Sequence, residues 1–342
     1  MAQMLGGLLG NETHRARLSH ALRTDTLSHA FLLLGPEGVG RHTLALELAA
    51  AANCERRGTD EALPCHGCSS CRRILAGQHP DLHILRRAED KSTVGVDEVR
   101  ALREDMFLSP TEASVKVYLI EHAEALTVQA QNALLKVLEE PPHRVLLFLL
   151  ADTADSLLTT VRSRTVCIRM ERLTDAQLLP ALRRMAREAQ LTPDEATVAR
   201  AVRRSEGVLG VAFSLIHPAT AEAEERMRLS VSAVLRTLSA KASYTAAHTA
   251  LSALGQKRAE LSGALCRLTD AVRDLLAVKR DEGAPLIFFL DEEEAKALAD
   301  GFTVKVLCGM QDAIARAQDK LLRNANVTLL LSELAQDINK KT

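Results

Sequence analysis

"AFLLLGPEGVGRHT", residues 30–43, runs from five apolar residues into a glycine-rich loop. It is followed by an alanine- and leucine-rich stretch that extends to residue 54. That order predicts a buried strand, a tight turn and a helix packed on a sheet. A loop that cradles phosphates reads G-x-x-x-x-G-K-[ST]. Gly35, Gly38 and Gly40 keep the backbone part of that pattern, but Arg41 and His42 stand where the lysine and the hydroxyl belong. The planar fork of arginine is no substitute for a compact ammonium, and magnesium prefers hard oxygen ligands to imidazole. Thr43 does not restore the hydroxyl, because one residue along a helix turns a side chain by about 100°. Taken alone, the glycines fit an ordinary strand-to-helix turn equally well.

Further strand candidates are "LHIL" (82–85), "KVYLI" (116–120), "RVLLFLL" (144–150) and "VCIRM" (166–170). Helical patterns lie between them at 96–107 and 127–140, with Thr127 as cap and Pro141-Pro142 as stop. Alternating strands and helices predict a parallel sheet covered on both faces. The loop at 35–43 would then lie at the carboxyl ends of the strands, where ligands bind in such sheets. Beyond about residue 172 the pattern turns helical, interrupted at 281–295, where Asp291–Glu294 reads as a helix start favoured by the helix dipole. The expected division is an α/β domain over 1–172, a helical lid over 173–222 and an all-α domain over 223–342.

With 43 basic and 44 acidic side chains, the 342 residues carry no global basic field that would advertise nucleic acid. Lys340-Lys341 is too short a run to claim DNA binding. No stretch approaches the roughly 18 apolar residues of a membrane span, and the first twenty residues hold no apolar core of a secretory signal. The expectation is a soluble cytoplasmic protein without membrane partners.

Four of the seven cysteines, Cys54, Cys65, Cys68 and Cys71, fall within eighteen residues. Four thiolates with short x2 spacings suit one tetrahedral zinc ion. Such a closed shell leaves no place for water, so the expected metal is structural. His66, His79 and His83 are rival ligands. Cys167, Cys266 and Cys308 are scattered and read as small hydrophobes.

A hydrolysing phosphate loop needs carboxylates directly after a neighbouring strand. After "KVYLI" the chain offers Glu121-His122-Ala123-Glu124, and His122 cannot replace a water-polarising carboxylate. Glu139 and Glu140 close a helix and read as solvated or structural, while Lys136, His122 and Asp152 lack evident catalytic partners.

At "QNALLKVLEEPP" (131–142) and "VRSRT" (161–165) the sequence resembles bacterial DNA polymerase III clamp-loader subunits, most of all their delta-prime branch. The resemblance includes "SHAFLLLGPEGVGR" (28–41), the cysteines, "VDEVRALRE" (96–104) and "KVYLIEHAEAL" (116–126), and continues weakly in "NANVTLLLSEL" (324–334). It implies an AAA+ fold: a nucleotide-binding core, a helical lid and a C-terminal helical collar that joins five subunits. It also implies an accessory subunit of the polymerase III holoenzyme without catalysis of its own. The implied partners are gamma/tau-type ATPases and a delta subunit, and through them the sliding clamp and primed DNA. Gly210 matches the place of a nucleotide-sensing arginine of the lid. Ser163-Arg164-Thr165 matches a Ser-Arg-Cys triplet whose arginine reaches a neighbouring subunit's ATP. Two alternatives stay open: a divergent gamma/tau-like ATPase, and a stand-alone zinc-containing DNA-binding protein.

Overall fold

A computed structural model describes residues 5–59, 62–87, 93–240, 243–280, 286–289, 291–323 and 325–339. Lys340-Lys341 lie outside the described residues. The chain divides into two compact units, residues 1–192 with 205–213, and residues 193–204 with 214–342.

The first unit holds the sheet. Its strands are β1 (Ala30–Leu34), β2 (Leu82–Leu85), β3 (Lys116–Ile120), β4 (Val145–Ala151) and β5 (Val166–Arg169). They lie in the order β2-β3-β4-β1-β5, and every neighbouring pair is parallel. The helices of this unit are α1 (Glu12–Arg23), α2 (Arg41–Ala52), α3 (Ser69–Leu75), α4 (Val96–Met106), α5 (Val128–Glu139), α6 (Thr159–Arg162) and α7 (Asp175–Glu188). Parallel strands require crossovers, and helices cover both faces, with α2 to α6 in the connections, α1 before β1 and α7 after β5.

Side chains alternate along each strand, so the sheet feeds two cores. Phe31, Leu33, Leu119, Phe148 and Ile168 pack with α1, α2 and the cysteine segment. Leu32, Leu34, Tyr118, Leu147 and Leu149 pack with α4 and α5 on the other face. This two-sided burial explains why β1, β3 and β4 read as unbroken apolar runs and not as alternation.

The segment expected as a lid supplies α7 to the first unit and α8 (Glu195–Arg204) to the second, while α9 (Leu209–Ile216) begins in the first and ends in the second. The other helices among the described residues of the second unit are α10 (Pro218–Ser239), α11 (Tyr244–Ser252), α12 (Arg258–Arg280), α13 (Glu292–Ala299), α14 (Val304–Leu322) and α15 (Val327–Asn339). The acidic run opens α13 as expected, with the Asp291 side chain accepting from the Glu293 N–H. Asp274, fully buried on α12, accepts backbone N–H bonds from Ile287, Phe288 and Phe289 and so fastens the segment before α13. No helix among the described residues is long and apolar enough to cross a membrane.

Candidate functional site

The glycine loop joins β1 to α2 at the carboxyl edge of the sheet. Gly35, Gly38 and Gly40 all have positive φ, at 145°, 83° and 108°. These are values that glycine adopts without the penalty a Cβ imposes. The loop borders a cavity of about 640 Å³, closed by Gly7 and Leu8 before α1, by Glu121 after β3, by Arg184 on α7 and by Gly210 on α9. Positive-φ glycines before a helix N-terminus can turn N–H groups toward an anion.

The side chains around the loop are already engaged with one another. Arg41 is only 7% exposed and lies 2.8 Å from Asp152, the residue after β4. His42 Nε2 is 3.3 Å from Glu121, whose other oxygen receives Arg86 Nε at 3.0 Å. Burial holds the His42 imidazole below its usual range, against the pull of Glu121 and with a further push from Arg86. Neutral His42 therefore brings no charge to the cavity at neutral pH. His122 turns to Glu124 at 3.2 Å.

Gly210 sits against the loop itself. Its N–H donates to the Gly38 carbonyl at 3.0 Å, and a Cβ at position 210 would come within 2.6 Å of the Gly38 Cα. Backbone meets backbone here, so no side chain at 210 fits without moving the loop.

The four cysteines converge. Their sulfurs all lie within 4.8 Å of one another, a spacing that suits tetrahedral zinc with Zn–S bonds of about 2.3 Å. Backbone N–H groups of Cys68 and Cys71 point at the sulfurs of Cys65 and Cys68, at 3.3 and 3.4 Å. Burial pushes the Cys65 thiol up, but the N–H groups of Cys68 and Gly67 and the neighbouring thiols outweigh it and bring it down to about 6. Burial pushes Cys54 and Cys71 up, the latter with help from its thiol neighbours. A cation among the four would reverse that upward push by favouring thiolates, so the donor set fits zinc. The rival histidines turn elsewhere: His66 to Glu47, His79 to the Asp81 backbone and His83 to Asp105.

Arg164 follows α6, whose last turn and Ser163 lead into β5. Its guanidinium, 36% exposed, meets Glu139 at the end of α5 at 2.7 Å. It also donates to the Thr160 carbonyl at 3.1 Å and to Ser163 Oγ at 3.4 Å. Glu139, read from sequence as merely solvated or structural, is thus the counter-ion of Arg164. Gln131, buried on α5, holds this corner: its amide donates to the carbonyls of Leu126 and Ser156 and accepts the Leu158 N–H that starts α6. Sequence reasoning also missed Asp152 as the partner of Arg41. The available signal was its place directly after β4, beside the loop.

Sheet order and glycine loop together define a parallel α/β core with a phosphate-loop-like turn after β1, and the four cysteines add a segment whose sulfurs could hold a metal ion. Residues 10–174 match the family described as DNA polymerase III, delta subunit. The chain is 31% identical over 217 residues to DNA polymerase III subunit tau of Bacillus subtilis (64% of this chain, 38% of that protein). It is 37% identical over 147 residues to subunit delta' of the same organism (43% of each). It is 35% identical over 190 residues to subunit delta' of Yersinia pestis (56% of this chain, 55% of that protein). The match and these relatives make about half of the chain similar to DNA polymerase III subunits of the delta, delta' and tau types. The chain spans between 38% and 55% of the length of these relatives.

Proposed function

We propose that the chain acts as a delta-prime-like clamp-loader subunit that does not itself hydrolyse ATP. In this reading it supports assembly of gamma/tau-type ATPase subunits with a delta subunit. It offers Arg164 in trans to a neighbour's ATP while the sliding clamp is loaded onto primed DNA. One observation carries the proposal. Val166, the first residue of β5, pairs with Phe31 of β1 in the parallel sheet, so Arg164, two residues earlier in the turn after α6, lies at the amino edge, while the glycine loop leaves the carboxyl edge after Leu34. From Phe31 to Gly35 the strand rises roughly 13 Å at about 3.3 Å per residue. Arg164 thus stands at the far edge of the sheet from its own loop, where a neighbouring subunit would meet it. A guanidinium so supplied stabilises charge on a transferring phosphoryl group, an effect of about 10³–10⁵ in rate in other phosphoryl-transfer systems.

The chain's own loop supports the other half of the reading. Arg41 is held by Asp152, Glu121 is shared by His42 and Arg86, and Gly210 presents backbone where a nucleotide-sensing arginine would stand. The loop of Gly35, Gly38, Gly40, Arg41 and Thr43 can receive an anion on its amides but lacks a free lysine and a hydroxyl for magnesium. Cys54, Cys65, Cys68 and Cys71 would hold a structural zinc that cross-links the segment between α2 and α3. Residues 173–222 would serve as lid and 223–342 as the oligomerising collar.

The tau relative favours a second reading, a divergent ATPase. ATP turnover by the purified chain, alone and with clamp and primed DNA, separates the two. The account predicts background hydrolysis throughout, also for the double variant Arg41→Lys, His42→Thr. Turnover comparable to a loader ATPase overturns it.

A further inference from the structure

We infer that Glu47 is a positioning residue that couples the cysteine segment to the wall of the loop cavity. Glu47 lies on α2, the helix that leaves the glycine loop, and is 3% exposed among Leu44, Leu48 and Ala51. A buried carboxylate is tolerated only when its oxygens find donors. Here they are divided between two separate parts of the chain. Oε1 meets His66 Nε2 at 2.9 Å, and His66 stands between Cys65 and Gly67. Oε2 accepts the Gly7 N–H at 3.2 Å.

A second tie runs alongside. The Leu5 N–H donates to the Leu63 carbonyl at 2.8 Å, two residues before Cys65. The segment held by these bonds, Gly7 to Leu9, forms part of the cavity wall. Its Leu8 side chain reaches the loop, since a Cβ on Gly40 would lie 3.2 Å from Leu8 Cδ1. A continuous path of contacts therefore runs from the cysteine segment through His66 and Glu47 to Gly7, Leu8 and Gly40. Ordering of the four-thiol cluster fixes His66, and the shared carboxylate passes that order to the wall. The inference concerns how the wall is held and stands independently of the ATP chemistry proposed above.

Amide hydrogen exchange on the full-length, zinc-loaded chain tests it, with zinc content measured in each sample. Glu47→Leu removes both acceptors but no cysteine. It is expected to retain zinc while the residue 5 and 7 amides exchange about tenfold or more faster, with β1 and β4 unchanged. Gly7→Ala provides a second route, because its new Cβ would collide with Glu47 Oε1 while leaving the cysteines untouched. It should accelerate the same amides, as should chelation of zinc from the unaltered chain. Unchanged exchange at residues 5 and 7 in Glu47→Leu or after chelation overturns the coupling. Acceleration spread equally through β1 and β4 overturns it too, because it would mark general loosening.

Discussion

Replacing Gly210 with alanine adds one carbon where two backbones touch. The new Cβ would stand 2.6 Å from the Gly38 Cα and 3.0 Å from its carbonyl oxygen. Carbon atoms pack at about 3.5–4.0 Å, so the loop and the start of α9 must separate by about 1 Å. That movement stretches the 3.0 Å bond from the Gly210 N–H to the Gly38 carbonyl beyond hydrogen-bonding range. Overpacking costs about 1–3 kcal/mol and the lost bond about 1 kcal/mol. Alanine returns at most about 1 kcal/mol of helix propensity. The net loss of about 1–3 kcal/mol corresponds to a fall in Tm of about 2–12 °C for a unit of this size. Thermal unfolding of the isolated chain measures it, with hydrogen exchange assigning the loss to the first unit. Gly263→Ala is the control, since α12 leaves nothing within 4 Å of a Cβ there; it should be neutral or stabilising by up to about 1 kcal/mol. A Gly210→Ala protein as stable as the unaltered chain would refute the direct contact between loop and α9.

Other outcomes follow from the same geometry. Cys68→Ser should lower both zinc content and the thermal stability of the first unit, as zinc assay and unfolding curves would register, because three thiolates leave the shell open. Buried Asp81 accepts N–H bonds from Thr111, Glu112 and Ala113 at 2.7, 2.8 and 2.8 Å, so Asp81→Asn should cost about 1–3 kcal/mol in urea unfolding at neutral pH. Burial pushes the Asp81 carboxyl up, but the three N–H groups outweigh it and hold it below its usual value. Its stabilisation is therefore present above the unfolded carboxylate pKa of about 3.9 and lost as pH falls through the folded value. The unaltered chain should lose stability on acidification below about pH 4, and Asp81→Asn should show a flatter acid limb.

Much of the first unit was legible because its strands are short apolar runs bounded by polar turns. Strands β1, β2 and β3 fall where the sequence put them. The shift of β4 from 144–150 to 145–151 has a local cause: Arg144 sits at φ 62°, outside extended conformation. The cysteine spacing was equally readable, since short separations limit where the sulfurs can lie. What the sequence withheld was pairing across the sheet. Arg41 and Asp152 are more than a hundred residues apart and meet only because β1 and β4 are neighbours. Glu139 meets Arg164 only because α5 and α6 share a corner pinned by Gln131. Glu47 is a lone carboxylate in an apolar helix, and periodicity cannot say which loops supply its donors.

The central claim, an arginine offered to another subunit, is tested most directly by ATP hydrolysis in a reconstituted loader carrying Arg164→Ala. The substitution removes an exposed ion pair, worth about 0–1 kcal/mol, and two exposed hydrogen bonds whose acceptors water can satisfy, so the chain should fold and assemble normally. The account predicts a large fall in ATP turnover with clamp and primed DNA present. An unchanged rate in a fully assembled complex would contradict it.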